Sequence, residues 1–214
     1  MSPPDATPAV VDTVILRYFY VVDQAELLFA LLGEPLLAPR VVFDPDEEAK
    51  IPERAMSEIT RSIFVQRMRS NDRRRDESER ALAASHAARL DQVAADQAAG
   101  RIEVADLTSS ETEIFAKLGS RGDPLDVGLT FALDPGEAAC VAVAVERKLV
   151  LATDDSDGLK AYRAPRPKGR YERIRKLLKR AGESGLVQPA EANAIHQAMC
   201  DAGFWDKGRP FPNS

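Results

Sequence analysis

Cysteine and histidine are scarce in this sequence, at two each, and tryptophan occurs once. Cys140 sits in an apolar stretch and Cys200 late in the chain, so no disulfide framework exists and a reducing compartment is expected. His86 falls in a charged, alanine-rich segment and His196 in the last helical one. Both read as surface or packing residues, which leaves no histidine as a general base. Long apolar runs are missing too. Nothing approaches the roughly 20 residues of a membrane-spanning helix, so the chain is expected to be soluble, cytoplasmic and without a membrane partner. The opening Met-Ser-Pro-Pro-Asp-Ala-Thr-Pro reads as a frayed tail over 1–8, because it lacks the basic start and cleavage pattern of a signal peptide. A net charge of −5 is too small for the whole-chain balance to select a partner.

What is present is enough apolar material for a core. With 44% hydrophobic residues in 214, the length suits one domain, or one domain with an appendage. The chain is organised around residues 133–163. Asp134 is the expected N-cap of a helix with Pro135 in its first position. Residues 138–145 are almost wholly apolar, so that helix should be buried on most sides. Leu-Val-Leu-Ala at 149–152 suits a short strand covered on both faces. Thr153-Asp154-Asp155-Ser156-Asp157-Gly158 then leaves its carboxyl end, the edge where open α/β sheets place ligands. Glu137 has an ordinary account as an acid at a helix's positive end. Three acids in four residues after a buried strand are not accounted for that way.

Earlier in the chain, 9–16 reads as an apolar strand interrupted by Asp12. That acid either caps a helix beginning near Val14 or sits at the strand's carboxyl tip facing a cleft, and both can hold. An amphipathic helix is expected over 23–32 with Asp23 as its N-cap, then a second strand over 35–39. Residues 40–50 begin a helix or turn carrying Asp44, Asp46, Glu47 and Glu48, a cluster that by itself resembles a solvated helix start. Residues 51–99 are helical and charged. They should break at Asn71-Asp72 into an antiparallel pair projecting from the core, because the stripe of Met56, Ile59 and Ile63 is thin. Residues 101–107 alternate as a strand. Ser109 or Ser110 should cap a helix through 118, a loop fills 119–130, and a final helix spans 189–202 with Trp205 anchoring the tail.

Between Lys160 and Arg180 lie ten basic residues and the single acid Glu172. Such density beside an acidic centre suits a polyanion whose backbone is held while one phosphate is attacked. Lys160, Arg163, Arg170, Arg173 and Lys176 are the expected substrate-binding residues.

The order of Asp12 after a strand, Pro39 with acids soon after, Gly136-Glu137-Ala138-Ala139 opening a helix, and Leu149-Val-Leu-Ala-Thr-Asp-Asp resembles the PIN-domain nucleases. The nearest likeness is to stand-alone bacterial PIN proteins related to VapC-type toxins, to which 176–187 and the tail are also similar. The likeness covers 9–50 and 100–205, leaving 51–99 as a long helical insertion. The resemblance implies an α/β fold, a three-layer sandwich with a mostly parallel sheet and an acidic pocket at the strands' carboxyl ends. It also implies Mg²⁺- or Mn²⁺-dependent hydrolysis of RNA. The implied catalytic set is Asp12, Asp44, Glu137, Asp154 and Asp155, with Asp12, Glu137 and Asp155 as metal ligands. The family usually has a Glu on a regular helix as its second acid. Asp44 stands nearest that position, with Glu47 or Glu48 as alternatives, and Val14 replaces the Ser or Asn that usually follows Asp-Thr.

That chemistry is coherent. Carboxylates within ~5 Å of each other repel by roughly 3 kcal/mol per pair at an effective dielectric near 20, so they require a cation, take up protons or splay apart. Mg²⁺ takes oxygen ligands, and a bound divalent ion activates water and neutralises phosphoryl oxygens. Two functional classes follow. One is a metal-dependent ribonuclease, with an antitoxin as partner if it is a toxin. The other is a PIN-like module that no longer cleaves and binds RNA or assembles through the 51–99 segment, with a partner protein or a second copy.

Overall fold

The apolar run after Pro8 forms β1 (Ala9–Val11), every residue of it buried. The structure, a computed structural model, describes residues 8–44, 56–119, 132–206 and 211. After β1 come α1 (Thr13–Val21), α2 (Ala25–Leu32), β2 (Leu36–Pro39) and α3 (Arg40–Phe43). The helical pair is α4 (Glu58–Asn71) and α5 (Glu77–Ala98), followed by β3 (Ile102–Ala105) and α6 (Ser109–Gly119). The remainder is α7 (Pro135–Glu146), β4 (Val150–Ala152), α8 (Ser156–Arg163), β5 (Tyr171–Glu172), α9 (Ile174–Glu183) and α10 (Pro189–Asp201).

The strands make one all-parallel sheet in the order β3-β2-β1-β4-β5, with Val10 level with both Leu37 and Leu151. Alternation then sorts the core. Ala9, Val11, Leu36, Ala38, Val150 and Ala152 face the layer of α1, α2, α5, α9 and α10. Val10, Leu37 and Leu151 face α6, α7 and α8. The result is an α/β three-layer sandwich, as the resemblance implied. Strands buried on both faces explain why β1, β2 and β4 are continuously apolar rather than alternating. As expected, α7 has Asp134 as N-cap and Pro135 in its first turn, and is buried from Ala138 to Ala144.

Several details differ from the sequence reading. α2 is capped by Gln24, and Asp23 precedes it with a φ of +62°. Thr108, not Ser109 or Ser110, caps α6. Its hydroxyl accepts from the Glu111 amide while Glu111 accepts from its own amide at 2.7 Å, a reciprocal capping box. The basic run is divided among α8, the two-residue strand β5 and α9, and β5 was not expected. His86 and His196 are both packing residues, held below their ordinary pKa chiefly by burial. Trp205 does not anchor the tail. Phe204 does, at 2% exposure, while Trp205 is 61% exposed.

The helical pair is the largest correction. α4 and α5 separate at the expected break, but they do not project from the core. Ile59, Leu90 and Val93 join the same apolar cluster as α1, and small Ala83 and Ala87 are buried between the helices. Polar ties complete the docking. The Tyr20 hydroxyl donates to Asp96 at 2.5 Å, and Arg89 donates to the Val21 carbonyl at 2.6 Å. The stripe looked thin because alanine counts for little in an apolar tally yet allows close helix approach. The expected loop at 119–130 and the acids Asp46, Glu47 and Glu48 lie outside the described residues, apart from Gly119, which ends α6.

Candidate acidic site at the strand ends

The chain leaves β1 toward β2 and β3 on one side, then returns to place β4 and β5 on the other. Between β1 and β4 lies the switch point, where loops part and a cleft opens at the carboxyl ends. Asp12 follows β1 there and Thr153-Asp154-Asp155 follows β4. The Asp12 amide donates to the Ala152 carbonyl at 3.0 Å, extending the ladder by one rung. Asp12 occupies the N-cap position of α1, but its side chain makes no capping bond. Its Oδ2 instead accepts the Thr153 hydroxyl at 2.8 Å. Both positions weighed in the sequence therefore hold, and the carboxylate itself is turned to the cleft.

Four segments deliver carboxylates to one cleft of about 410 Å³, lined by Asp12, Glu58, Glu137 and Asp155 together with Asp134 and Asp154. Burial is the main cause that pushes Asp12 up to about 7, with the charges of Glu58 and Asp155 adding to it and the Thr153 bond opposing it. Glu137 is raised well above the carboxylate range by burial first, then by its hydrogen bond to Asp155 and the charges of Asp155 and Asp12. For Asp155 burial pushes upward, but Glu137 and the amides of Gly158 and Asp157 outweigh it and leave its pKa lowered. The two carboxyl groups are coupled, with proton affinity raised on Glu137 and lowered on Asp155. This is how like charges settle at short range without a cation.

Two glycines make the arrangement fit. A Cβ at Gly158 would collide with the Glu137 carboxylate, and one at Gly136 with that of Glu58. The Gly158 amide also donates to Glu137 Oε1 at 2.9 Å and to Asp155 Oδ1 at 3.1 Å, binding two acids at the start of α8. Glu58 is the residue the sequence reading missed. It sits in the first turn of α4 behind the N-cap Ser57, and Thr13 donates its hydroxyl to Glu58 Oε2. Its sequence signal was a Glu directly after a capping Ser, a pattern that ordinarily serves the helix dipole.

Asp44, expected as the second acid, is not brought into this cleft. It is about half exposed, pairs with Arg40 at 2.9 Å, and lines a neighbouring cavity that shares Glu58, Arg61 and Asp134 with the cleft. Of the two alternatives after β4, Asp155 joins Asp12 and Glu137. Asp154 lines the same cleft but turns toward the start of α9. Its Oδ2 accepts the Ile174 amide at 2.9 Å, and burial raises it to about 6 against that bond and the nearby Arg173.

The five basic residues expected to hold substrate do not line the acidic cleft. Lys160, Arg163 and Arg173 share a separate groove beside Ser156. Within it Arg173 donates to the Asp154 carbonyl at 3.0 Å, and Lys160 pairs with Asp157 at 2.7 Å. Lys176 is tied to Glu172 and the Tyr171 carbonyl, and Arg170 is exposed away from both. The cations of the acidic cleft are Arg17 on α1 and Arg61 on α4, with Ser62 and Trp205 at its walls.

Among the described residues no three Asp, Glu, His or Cys side chains stand as a group that can hold a metal ion in their present placement. Each acid is turned instead to a protein donor. The donor chemistry nonetheless fits a hard divalent cation. It offers carboxylate oxygens from four segments beside the hydroxyls of Thr13 and Ser62, and Asp12 and Glu137 carry raised proton affinity. Among the described residues no helix is long and apolar enough to cross a membrane. No protein-family model matches the chain, and no curated protein or solved structure matches it either.

Proposed function

We propose that this chain is a divalent-metal-dependent ribonuclease of the PIN type. The observation that carries the reading is the convergence of Asp12, Glu58, Glu137 and Asp155 at the β1–β4 switch point, beside Arg17 and Arg61. These four acids are the residues that would hold Mg²⁺ or Mn²⁺. When bound, such an ion supplies charge neutralisation at the phosphoryl oxygens and a nucleophilic water near neutral pH. Arg17 and Arg61 present forked guanidinium donors suited to phosphate oxygens on the cleft wall. Thr153 holds Asp12 at the cleft, and Gly158 holds Glu137 and Asp155 there.

A second reading keeps the fold and drops the chemistry. In it the chain is a PIN-like RNA-binding or assembly subunit. What favours it is the exposure of Phe64, Val65 and Met68 on α4, which gives that helix an outward apolar face. Incubation of the purified chain with end-labelled single-stranded RNA and Mn²⁺ separates the two. The nuclease reading expects cutting by wild type that falls to background in both Asp12→Asn and Glu58→Gln. Uncut RNA with wild type, under conditions where it binds, would select the second reading.

A further inference from the structure

We propose that Trp205 is a stacking platform for one unpaired base of the strand whose phosphate enters the acidic cleft, a proposal that rests on the ribonuclease reading of that cleft. Trp205 is the sole tryptophan of the chain. At 61% exposure it is the most exposed large apolar side chain among the described residues, yet it lines the cleft together with Arg17 and Arg61. An indole left open to water at such a place is out of line with its usual high burial.

Its position is fixed from both sides. Phe204 is buried with its ring 5.0 Å from Tyr18 and 6.0 Å from His196, and its amide donates to the Met199 carbonyl at 2.9 Å. On the other side the Cys200 thiol donates to the Asp206 carbonyl at 3.0 Å, and the His196 ring lies 3.7 Å from the Asp206 carboxylate. Held between two anchored neighbours, the indole packs, among the described residues, against one ring, Phe204, at 5.7 Å. The tail thus presents a rigid aromatic surface at the rim of a cleft whose wall carries phosphate-binding cations. A nucleotide has both complements, a phosphate for the arginines and a π-face for the indole. Every base has such a face, so the platform selects unpaired strands over duplexes without selecting sequence. Trp205 is a positioning residue. It sets which phosphate lies over the acids.

Because the tryptophan is unique, its emission reports the contact directly. Wild type is mixed by stopped flow, in Mn²⁺ at low salt, with a single-stranded RNA about ten nucleotides long, with its duplex, and with a strand of equal charge whose central bases are removed. Samples are kept for a gel to score cutting. The single strand should quench Trp205, whereas the duplex and the abasic strand should quench it weakly. Trp205→Ala, followed by anisotropy of labelled RNA, should weaken binding about tenfold and raise KM with little change in kcat, and Trp205→Phe should restore most of the loss. No quench on binding, equal quench by the abasic strand, or unchanged affinity in Trp205→Ala overturns the platform, while cutting in those samples leaves the nuclease reading intact. Quench without cutting has the reverse meaning: the platform stands and the nuclease reading falls.

Discussion

The Thr153 hydroxyl donates to Asp12 Oδ2 at 2.8 Å, joining the ends of two neighbouring strands. Asp12 is buried and its folded-state pKa lies near 7, so around neutral pH a charged carboxylate depends on this one side-chain donor. Thr153→Val keeps the shape and removes the hydroxyl. It should cost about 1–3 kcal/mol where Asp12 is ionised. Thermal unfolding at pH 8 should show a loss of several degrees, and the loss should shrink at pH 5, where Asp12 is protonated. An equal loss at both pH values would mean the bond does not serve the carboxylate.

The two glycines of the cleft predict a pair of variants. Gly158→Ala should displace Glu137, and Gly136→Ala should displace Glu58, because the added methyl groups collide with those carboxylates. Both positions are helical, where alanine is otherwise favoured by up to about 1 kcal/mol. The variants should therefore lose divalent-metal affinity, measured by calorimetry, without a matching loss of stability. Unchanged affinity in both would remove Glu137 and Glu58 from any metal site.

Without metal, stability should fall as pH rises. A carboxyl whose folded pKa exceeds its unfolded value contributes stability below the unfolded pKa, and loses it as pH climbs through the folded one. Asp12 goes from 3.8 to about 7, and Glu137 is raised further, so the loss should run from about pH 4 to beyond pH 7. Denaturant unfolding in EDTA should find the chain more stable at pH 5 than at pH 8, and Asp12→Asn should flatten that slope. A slope unchanged by the substitution would place the cause elsewhere.

RNA affinity should depend on Arg17 and Arg61 more than on the basic run. Reversing both to Glu should weaken binding and lower the salt slope by at least about 1.4, at roughly 0.7 per single-strand phosphate contact. Reversing Arg170 and Lys176 should change little, since neither lines the acidic cleft. The opposite ranking in a salt series would return the 160–180 run to the centre.

Much of this was legible in the sequence, for a definite reason. Asp12 and Asp155 stood out as acids that follow apolar strand runs, whereas Glu137 had an ordinary account at a helix start and was named through the resemblance. The mostly parallel sheet was implied by the resemblance, and the continuous apolar strands agree with it. Glu58 did not stand out, since a Glu behind a capping Ser in a charged helix has a complete local explanation, and only the docking of α4 on α1 brings it to the cleft. Asp44 was chosen by closeness to β2 along the chain, but α3 spends only four residues before Asp44 and leaves it paired with Arg40. Trp205 was read as an anchor because large apolar residues usually are; its neighbour Phe204 fills that place and turns it outward. The two residues of β5 are too few to show a period inside a basic run.

The most direct test of the central claim is the melting temperature of wild type and Asp12→Asn with and without Mn²⁺. If the four acids hold the ion together, Mn²⁺ should raise the wild-type Tm, and the rise should grow with the logarithm of concentration once past saturation, corresponding to about 2.7 kcal/mol at a hundredfold excess over Kd. Asp12→Asn should abolish the rise while melting higher than wild type in EDTA at pH 8, because it removes a buried like charge. An equal rise in both proteins would contradict the account by placing the ion elsewhere, and no rise in either would leave the acids without a cation to hold.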